Sequence, residues 1–334
     1  MIFPLGRYLV TGSAGFLGTE LVKAIKAQGL DCVGLDISSQ DNTTIVDCSD
    51  LKSLLPHMHN VDFVINTIAY VPLRRPNTDF HTANSTVPGV IAKAAAQSQV
   101  KKVIHISSSA VWGLPGTLLV NEETPVKPFE PYGKAKLLGE ENFIREIKQT
   151  PWAILRPRTI LGNGRLGIFH TLFSFIKEDR SIYTIGKGSH PLQFIDVEDV
   201  ISAIATLLSQ GQGIYGVGST NYSNINSELK SLISFANSHS KVKPLPKKLT
   251  IAGLSLLWKL KLSPLSPWHI QGYANPFFLS SEKLIQLGWS PLYSNIETME
   301  KSWKWFLVFR EVDHLSVHRS PLKLKFLTII KRLS

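Results

Sequence analysis

Tyr132-Gly133-Lys134-Ala135-Lys136 sets a phenol and an ammonium four residues apart, a spacing that on a helix brings both to one face. A phenol titrates near ~10 in isolation and is a poor proton acceptor at neutral pH, but a neighbouring cation favours its ionised form. Tyr132 is therefore the candidate acid/base, and Lys136 the group expected to draw its value down. Upstream, Val103-Ile104-His105-Ile106 runs into Ser107-Ser108-Ser109. A hydroxyl at the end of such a strand can hydrogen-bond the oxygen of a carbon that gains or loses hydride. Tyrosine and lysine at this spacing are also common on solvated helix faces; the serine row is what gives the pair chemical company.

A second constellation opens the chain. Thr11-Gly12-Ser13-Ala14-Gly15-Phe16-Leu17-Gly18 places three glycines between the apolar Tyr8-Leu9-Val10 and a helical pattern through Leu17, Leu21, Val22 and Ile25. Glycines there allow a tight turn, let a pyrophosphate approach the backbone N–H groups at the positive end of a helix, and at Gly18 let the helix pack closely. Asp36 ends the next apolar segment, about twenty residues on, where a carboxylate can accept from both ribose hydroxyls and would repel a 2′-phosphate. Ser13, Ala14 and Ile37 carry no compensating positive charge. The turn reads as a site for NAD in preference to NADP, with the Lys136 ammonium as a second contact to the nicotinamide ribose.

These residues must be held by elements that the patterning supplies. Strands are expected at 8–10, 30–37, 61–65, 102–106 and 152–155, with helices after the glycine turn, at 50–55, at 80–96 and from near Pro131. Alternating strands and helices require crossover connections, so the fold class is α/β, a Rossmann-type doubly wound parallel sheet. Past Leu155 the alternation loosens around Gly162, Gly164, Gly167, Gly186 and Gly188. The expected division is an NAD-binding domain over 1–160, with 193–216 returning to it, a smaller substrate-binding region over 161–192 and 217–310, and a basic tail over 311–334. The stretch Lys241 to Pro267, rich in Pro, Ser and Lys, is expected to be an irregular exposed insertion.

The 334 residues, 43% hydrophobic and 18% charged, describe a globular chain with a large core and exclude global disorder. The net charge of +11 is confined to two late segments without an acid, Lys241 to Leu262 and Arg319 to Ser334. The rest of the chain is neutral in total, which argues against a nucleic-acid-binding surface. The tail mixes Leu, Ile and Phe with cations and is read as a peripheral contact to an anionic membrane. Cys32 and Cys48 form no disulfide framework, and the N-terminus carries no basic region followed by a long apolar run, so the expected location is cytoplasmic. His314 and His318, four apart, have only Glu311 and Asp313 nearby to complete a ligand set and are read as a solvated helix face, so no metal is expected. Trp303, Trp305, Phe306 and Phe309 are expected to form the buried face of a late helix.

Taken together the residues resemble an extended short-chain dehydrogenase/reductase of the NAD-dependent epimerase/dehydratase family, over nearly all of residues 7–305. Val46-Asp47-Cys48-Ser49-Asp50 resembles that family's adenine-contacting segment, and Thr67-Ile68-Ala69 its cofactor-lining strip. Asn84, Ser107 to Gly113, Leu155-Arg156-Pro157-Arg158, Phe194 to Val200, and Ser281 to Pro291 match further family segments. The resemblance implies that Gly12, Ala14, Gly15, Phe16, Leu17, Gly18, Asp36, Asp47, Cys48, Thr67, Ile68, Ala69, Tyr132, Lys136 and Pro157 bind NAD, Pro157 lying against the nicotinamide. Counting back from Gly113 selects Ser108 as the catalytic hydroxyl, and counting forward from the strand selects Ser109.

The resemblance implies hydride transfer to or from a secondary alcohol carbon, of a nucleotide sugar, through Ser108, Tyr132 and Lys136. Gln193 stands where such enzymes often carry an arginine for the diphosphate, Trp112 replaces the usual tyrosine, and the apolar, lysine-rich stretch Leu245 to Leu262 resembles an insertion of lipid-active members. These departures support an alternative, a hydroxysteroid-dehydrogenase-like enzyme acting on a lipophilic alcohol. A non-catalytic NAD-sensing regulator is the alternative of another class, and a homodimer is compatible with the sequence without being fixed by it. Asp36 makes one outcome measurable: in fluorescence titrations NAD binds more tightly than NADP, and equal or tighter NADP binding refutes the placement of that carboxylate.

Overall fold

The computed structural model describes residues 1–41, 43–70, 78–166, 169–259 and 276–309. The strands in chain order are β1 (Tyr8–Thr11), β2 (Cys32–Asp36), β3 (Thr43–Ile45), β4 (Phe63–Asn66), β5 (Lys102–Ile106), β6 (Leu119–Val120), β7 (Trp152–Pro157), β8 (Ile160–Leu161), β9 (Ile182–Ile185), β10 (Ile195–Asp196), β11 (Gly213–Val217), β12 (Val242–Leu245) and β13 (Phe278–Leu279). The helices used below are α1 (Phe16–Lys26), α2 (Leu51–Leu54), α3 (Thr78–His81), α4 (Val87–Gln97), α5 (Pro131–Ile147), α6 (Phe169–Lys177), α7 (Val197–Gln210), α8 (Ile225–Phe235), α9 (Lys247–Lys259), α10 (Glu282–Ile285) and α11 (Asn295–Phe309).

Seven parallel strands form one sheet in the order β3-β2-β1-β4-β5-β7-β11. From β1 the chain winds outward through β2 and β3, then crosses to β4 on the other side of β1. That reversal opens a crevice at the carboxyl ends of β1 and β4, the place where open α/β sheets bind ligands. Strand ends are aligned there: Thr11 lies opposite Asn66 and Asn66 opposite His105. Thr11 Oγ1 donates to Asn66 Oδ1 at 3.0 Å, and Asn66 Nδ2 meets His105 Nδ1 at 3.1 Å. Polar side chains in one buried row bond one another where the apolar core stops, with His105 Nε2 left without a partner among the described residues.

Each sheet face is covered, as a wholly parallel sheet requires. Leu17, Leu21 and Ile25 of α1 pack with Val200, Ile201 and Ile204 of α7 on one face. Leu54, Ile91, Phe143 and Ile147, from α2, α4 and α5, cover the other. A separate core joins Phe169 and Phe173 of α6, Phe194, Leu232 of α8, and Trp303 and Phe306 of α11. The expected doubly wound architecture is therefore present, and the late aromatic residues Trp303 and Phe306 are buried as anticipated.

Two sequence expectations change. β3 was not legible, because Thr43, Thr44 and Ile45 form a short edge strand with exposed residues and no alternation. Lys241 to Pro267 is exposed but not irregular over its described part: β12 pairs with β9, and α9 follows. Pro244 fits β12 because that strand is an edge, where a missing N–H costs no ladder bond. The segment 260–267, the tail 311–334, His314, His318 and the side chain of Phe309 lie outside the described residues. Among the described residues no helix is long and apolar enough to cross a membrane.

Beneath the crevice, Arg156 of β7 and Glu140 of α5 form a two-bond ion pair at 3.0 and 2.6 Å, with both side chains almost wholly buried. Removing one partner leaves a buried, uncompensated charge, whereas replacing both with apolar residues does not. Glu140→Ala is expected to lower stability by about 3–5 kcal/mol. The pair Glu140→Leu with Arg156→Met should restore most of that loss in urea denaturation; a double variant no more stable than Glu140→Ala would show that the ion pair is not the source of the effect.

Candidate active site

The start of α5 is fixed by local chemistry. Pro131 occupies the first turn, and Glu130 caps it, its carboxylate accepting from Tyr132 N at 2.8 Å and Gly133 N at 2.6 Å. Gly133 then lets the helix settle on the 3-10 turn Ser109–Trp112, since a Cβ there would lie 2.4 Å from Ala110 O. The result is that Tyr132 comes close to Ser108, whose hydroxyl favours the ionised phenol. Ser108 caps that turn, its Oγ accepting from Ala110 N at 3.2 Å, while Ser109 is buried within it. Of the two serines the sequence left open, Ser108 is the one brought to Tyr132. Ser107 Oγ is buried without a hydrogen-bond partner among the described residues.

Lys136, one turn below Tyr132, is completely buried and its Nζ donates to Ile106 O at 2.7 Å. Burial pushes its ammonium down to about 8, with the nearby Glu140 carboxylate acting in the opposite direction. The expectation that Lys136 lowers the Tyr132 value is not what the structure shows. Burial raises the Tyr132 phenol, and the groups opposing that rise are the Arg165 guanidinium and the Ser108 hydroxyl. Lys136 commits its proton to a carbonyl at the end of β5, so the side chain acts as a fixed positive charge in the floor of the site.

The glycine turn is built as the spacing implied. A Cβ on Gly18 would stand 2.1 Å from Gly12 O, so only glycine permits this approach of α1 to the turn. Gly15 is the cap of α1, with no side-chain hydrogen bond to its first turn and no acid there. The N–H groups at this helix start are therefore available to an anion. Asp36 lies across the turn, accepting from Ala14 N at 3.1 Å and Ser38 N at 3.0 Å. Thr67 Oγ1 donates to Thr11 O at 2.8 Å and Ile68 N to Asn66 Oδ1 at 3.0 Å, tying the next loop to the same edge. An uncapped helix start beside a carboxylate fits the pyrophosphate and ribose of a dinucleotide.

The remaining expected residues are placed unequally. Phe16 and Ala14 are half-buried at the turn, Ala69 is exposed, and Pro157 is buried at the end of β7. Leu17 points into the core. Asp47 is exposed and accepts from Ser49 N and Oγ at 2.9 and 2.7 Å. Cys48 has its side chain in the core beside Leu35 and Leu54, where burial pushes the thiol up to about 12, so it has only its backbone to offer a ligand. Asn84 is buried and clasps the loop before α3 through Tyr70 O at 2.9 Å.

Gln193 does not face the crevice. Its amide donates to Ser219 O at 2.9 Å and Leu279 O at 3.0 Å and accepts from Leu279 N at 2.7 Å, joining three segments. Its bonding capacity is spent on the fold, so it carries no weight for or against a particular substrate. Sequence reasoning missed Glu130 and Arg165; the Glu-Pro step before the tyrosine was a signal for the first, and only the loop Gly162-Asn163-Gly164 hinted at the second.

Residues 8–218 match the model of the NAD dependent epimerase/dehydratase family. The y4nG protein of Sinorhizobium fredii is 31% identical, over 99% of this chain and 88% of its own. A UDP-glucose 4-epimerase of Mycolicibacterium smegmatis is 30% identical, over 59% of this chain and 71% of its own. Among solved structures, the Bordetella bronchiseptica enzyme WbmG in complex with NAD and UDP superposes with a TM-score of 0.75 at 17% identity, covering 95% of this chain and all of that one.

Lys136 generates a pH dependence with a defined sign. Its folded value of about 8 lies below the ordinary 10.5, so the folded chain releases this proton first as pH rises. The burial penalty is fully present below about 8 and is relieved between that value and the unfolded one. The positive charge in the floor of the site is lost as pH rises through about 8. NAD affinity, measured by fluorescence titration, should fall as pH rises through about 8, and Lys136→Met should bind NAD weakly and lack this alkaline limb; a limb that survives in Lys136→Met belongs to another group.

Proposed function

The chain belongs to the NAD dependent epimerase/dehydratase family, and we propose that it moves hydride to and from a secondary alcohol carbon of a nucleotide sugar, with Ser108, Tyr132 and Lys136 as its reactive groups. The observation that carries the assignment is the placement of Ser108 and Tyr132 beside each other at the carboxyl edge of the sheet, above the buried Lys136 ammonium bonded to Ile106 O. Bound NAD supplies the acceptor and donor of hydride. Gly12, Gly15, Gly18 and the first turn of α1 would hold its pyrophosphate and Asp36 its ribose, with Thr67, Ile68, Ala69 and Pro157 at the same edge.

The chain's own residues manage the proton. Burial keeps Tyr132 protonated, which is the form that must donate when a carbonyl becomes an alcohol. Ser108, beside the phenol, would hydrogen-bond the same substrate oxygen and hold it in line with the proton carrier. When Tyr132 has donated, the negative charge left on its oxygen is stabilised by the Arg165 charge and by the Ser108 hydroxyl. In the opposite direction the phenolate takes the proton back from the alcohol. One residue therefore serves both halves of an epimerisation, and Lys136 supplies the fixed positive field beneath them.

The nucleotide-sugar substrate is supported by the similarity to a UDP-glucose 4-epimerase, and Gln193, spent as a brace, does not speak against it. A thermal-shift screen of the NAD-saturated protein against UDP-sugars and sterols separates this reading from that of a lipophilic alcohol. With a substrate identified, Tyr132→Phe should lower turnover by about 10²–10⁴ while leaving NAD affinity unchanged, and Lys136→Ala should lower both. Near wild-type turnover in Tyr132→Phe refutes the proton carrier.

A further inference from the structure

The described side chains of α9, residues 247–258, are exposed or half-buried without exception, although most of them are apolar. The helix is nevertheless firmly seated. Pro246 O accepts from Thr250 N at 3.0 Å and from Thr250 Oγ1 at 2.9 Å, which fixes its first turn. It follows β12, tied to β9 by bonds from Ile182 N to Lys241 O at 2.9 Å and from Gly186 N to Leu245 O at 2.8 Å, with Val242 against the core that holds Phe175 and Ile176. The apolar residues of α9 fall in two stripes. Ile251, Leu254 and Leu257 are half-buried and form the side applied to the protein. Leu249, Ala252, Gly253 and Leu256 have the i, i+3, i+4, i+7 spacing of a single helix face, and all four are exposed, Leu249 at 73% and Leu256 at 58%.

A helix that is apolar on both sides is ordinarily enclosed by its fold. A stripe at core spacing left in water marks a surface that meets something else, and charge says what. Lys241, Lys243 and Lys248 are exposed in the same segment, and from Lys241 to Leu262 the sequence holds six lysines and no acid. A second copy of the chain set on this face would bring lysine towards lysine. It would also bury little beyond Leu249 and Leu256, far short of the roughly 800 Å² per partner of a stable interface. A nucleic acid would use the lysines and leave the leucines in water. An anionic bilayer takes both, its acyl region admitting the leucines and its headgroups the ammonium groups. Trp258, exposed in the last turn, is of the side-chain type favoured at headgroup level. We propose that α9 lies in the surface of an anionic lipid bilayer, with Leu249 and Leu256 entering it, and so holds the chain at the membrane. The docking depends neither on the substrate reading nor on the tail.

Co-sedimentation of the full chain tests it, with vesicles of phosphatidylcholine alone and of equal parts phosphatidylcholine and phosphatidylserine, at low and at high salt. The wild type should pellet with the anionic vesicles at low salt, be released at high salt, and stay in solution with phosphatidylcholine alone. Leu249→Ser combined with Leu256→Ser should weaken binding on the order of tenfold to a hundredfold, and Lys243→Gln combined with Lys248→Gln on the order of tenfold. Both variants should keep the NAD affinity and melting temperature of the wild type, because the side chains they change are exposed. A polarity-sensitive fluorophore attached through Leu256→Cys, the native thiols Cys32 and Cys48 being buried, should shift to the blue on addition of anionic vesicles. That readout reports on α9 and not on the tail. A wild type that does not pellet with anionic vesicles, undiminished pelleting of either variant, or a label whose emission stays where it was overturns the proposal. So does a leucine variant that melts lower or binds NAD more weakly, which assigns the stripe to the fold. A wild-type mass in sedimentation equilibrium that halves in the leucine variant assigns it to a second copy and overturns the proposal as well.

Discussion

The burial of a positive charge at Lys136 is the constraint around which the site is organised. An ammonium taken out of water loses several kcal/mol of solvation even after relaxation, so it persists only where the surrounding structure answers it. Ile106 O answers it directly at 2.7 Å, and this bond ties the second turn of α5 to the end of β5. Glu140, one turn further along α5, is held beneath by Arg156. The ammonium bonds the carbonyl, feels the nearby carboxylate without bonding it, and that carboxylate is held by the guanidinium, so helix and sheet are bound together at the level where the chemistry must occur. Tyr132 lies one turn above that anchor, so its position follows from it.

The close approach this demands is met by small residues at the right places. Gly133 faces Ala110 O, and Gly139, where a Cβ would stand 2.2 Å from Asn84 O, lets the same helix come down on the turn before α4. The sheet edge below is equally constrained. His105 is wholly buried against Phe143, with Nδ1 taken by Asn66, and burial together with the Lys136 charge keeps it well below its ordinary value. A neutral histidine is the form that this row of polar side chains can accommodate, since a second buried cation beside Lys136 would have no answering carboxylate. The Thr11, Asn66 and His105 row thus carries the edge of the glycine turn, the Thr67 loop and the serine row as one aligned rim.

Much of this was legible in the sequence because it is encoded locally. The glycine turn, the Asp36 carboxylate, the Tyr132 and Lys136 spacing and the strand leading to the serines each depend on residues within a few positions of one another, and each appears in the structure where the pattern put it. What was not legible depends on contacts between distant segments. The direction in which the Tyr132 phenol shifts is set by burial and by Arg165, thirty-three residues away in sequence. The role of Gln193 is set by Leu279, and the lysines and Pro244 of β12 disguise a strand whose partner, β9, lies some sixty residues earlier. Ser108 was separated from Ser109 only by the 3-10 turn that buries one hydroxyl and leaves the other beside the phenol.

The distribution of answered and unanswered charge also separates what folds the protein from what acts in it. Arg156 lies within the sheet, and its carboxylate partner is the one that the folded chain supplies on two bonds. Arg158, two residues on and past the last β7 residue, has an aromatic ring and a weak carbonyl contact instead. Alternation along the strand sends the two side chains the same way relative to the sheet, so the difference is one of depth and not of face. Inside the edge the chain pairs Arg156 with its own carboxylate and answers Lys136 with a carbonyl; past the edge Arg158 has no carboxylate partner among the described residues. Arg165 and the open first turn of α1 follow the same rule, both lying past strand ends, with no described carboxylate pairing with Arg165 and no side chain capping α1. Positive charge therefore stands along the rim of the crevice with the Lys136 ammonium beneath it, and that is the electrostatic form expected of a site whose ligands bring their own negative charge.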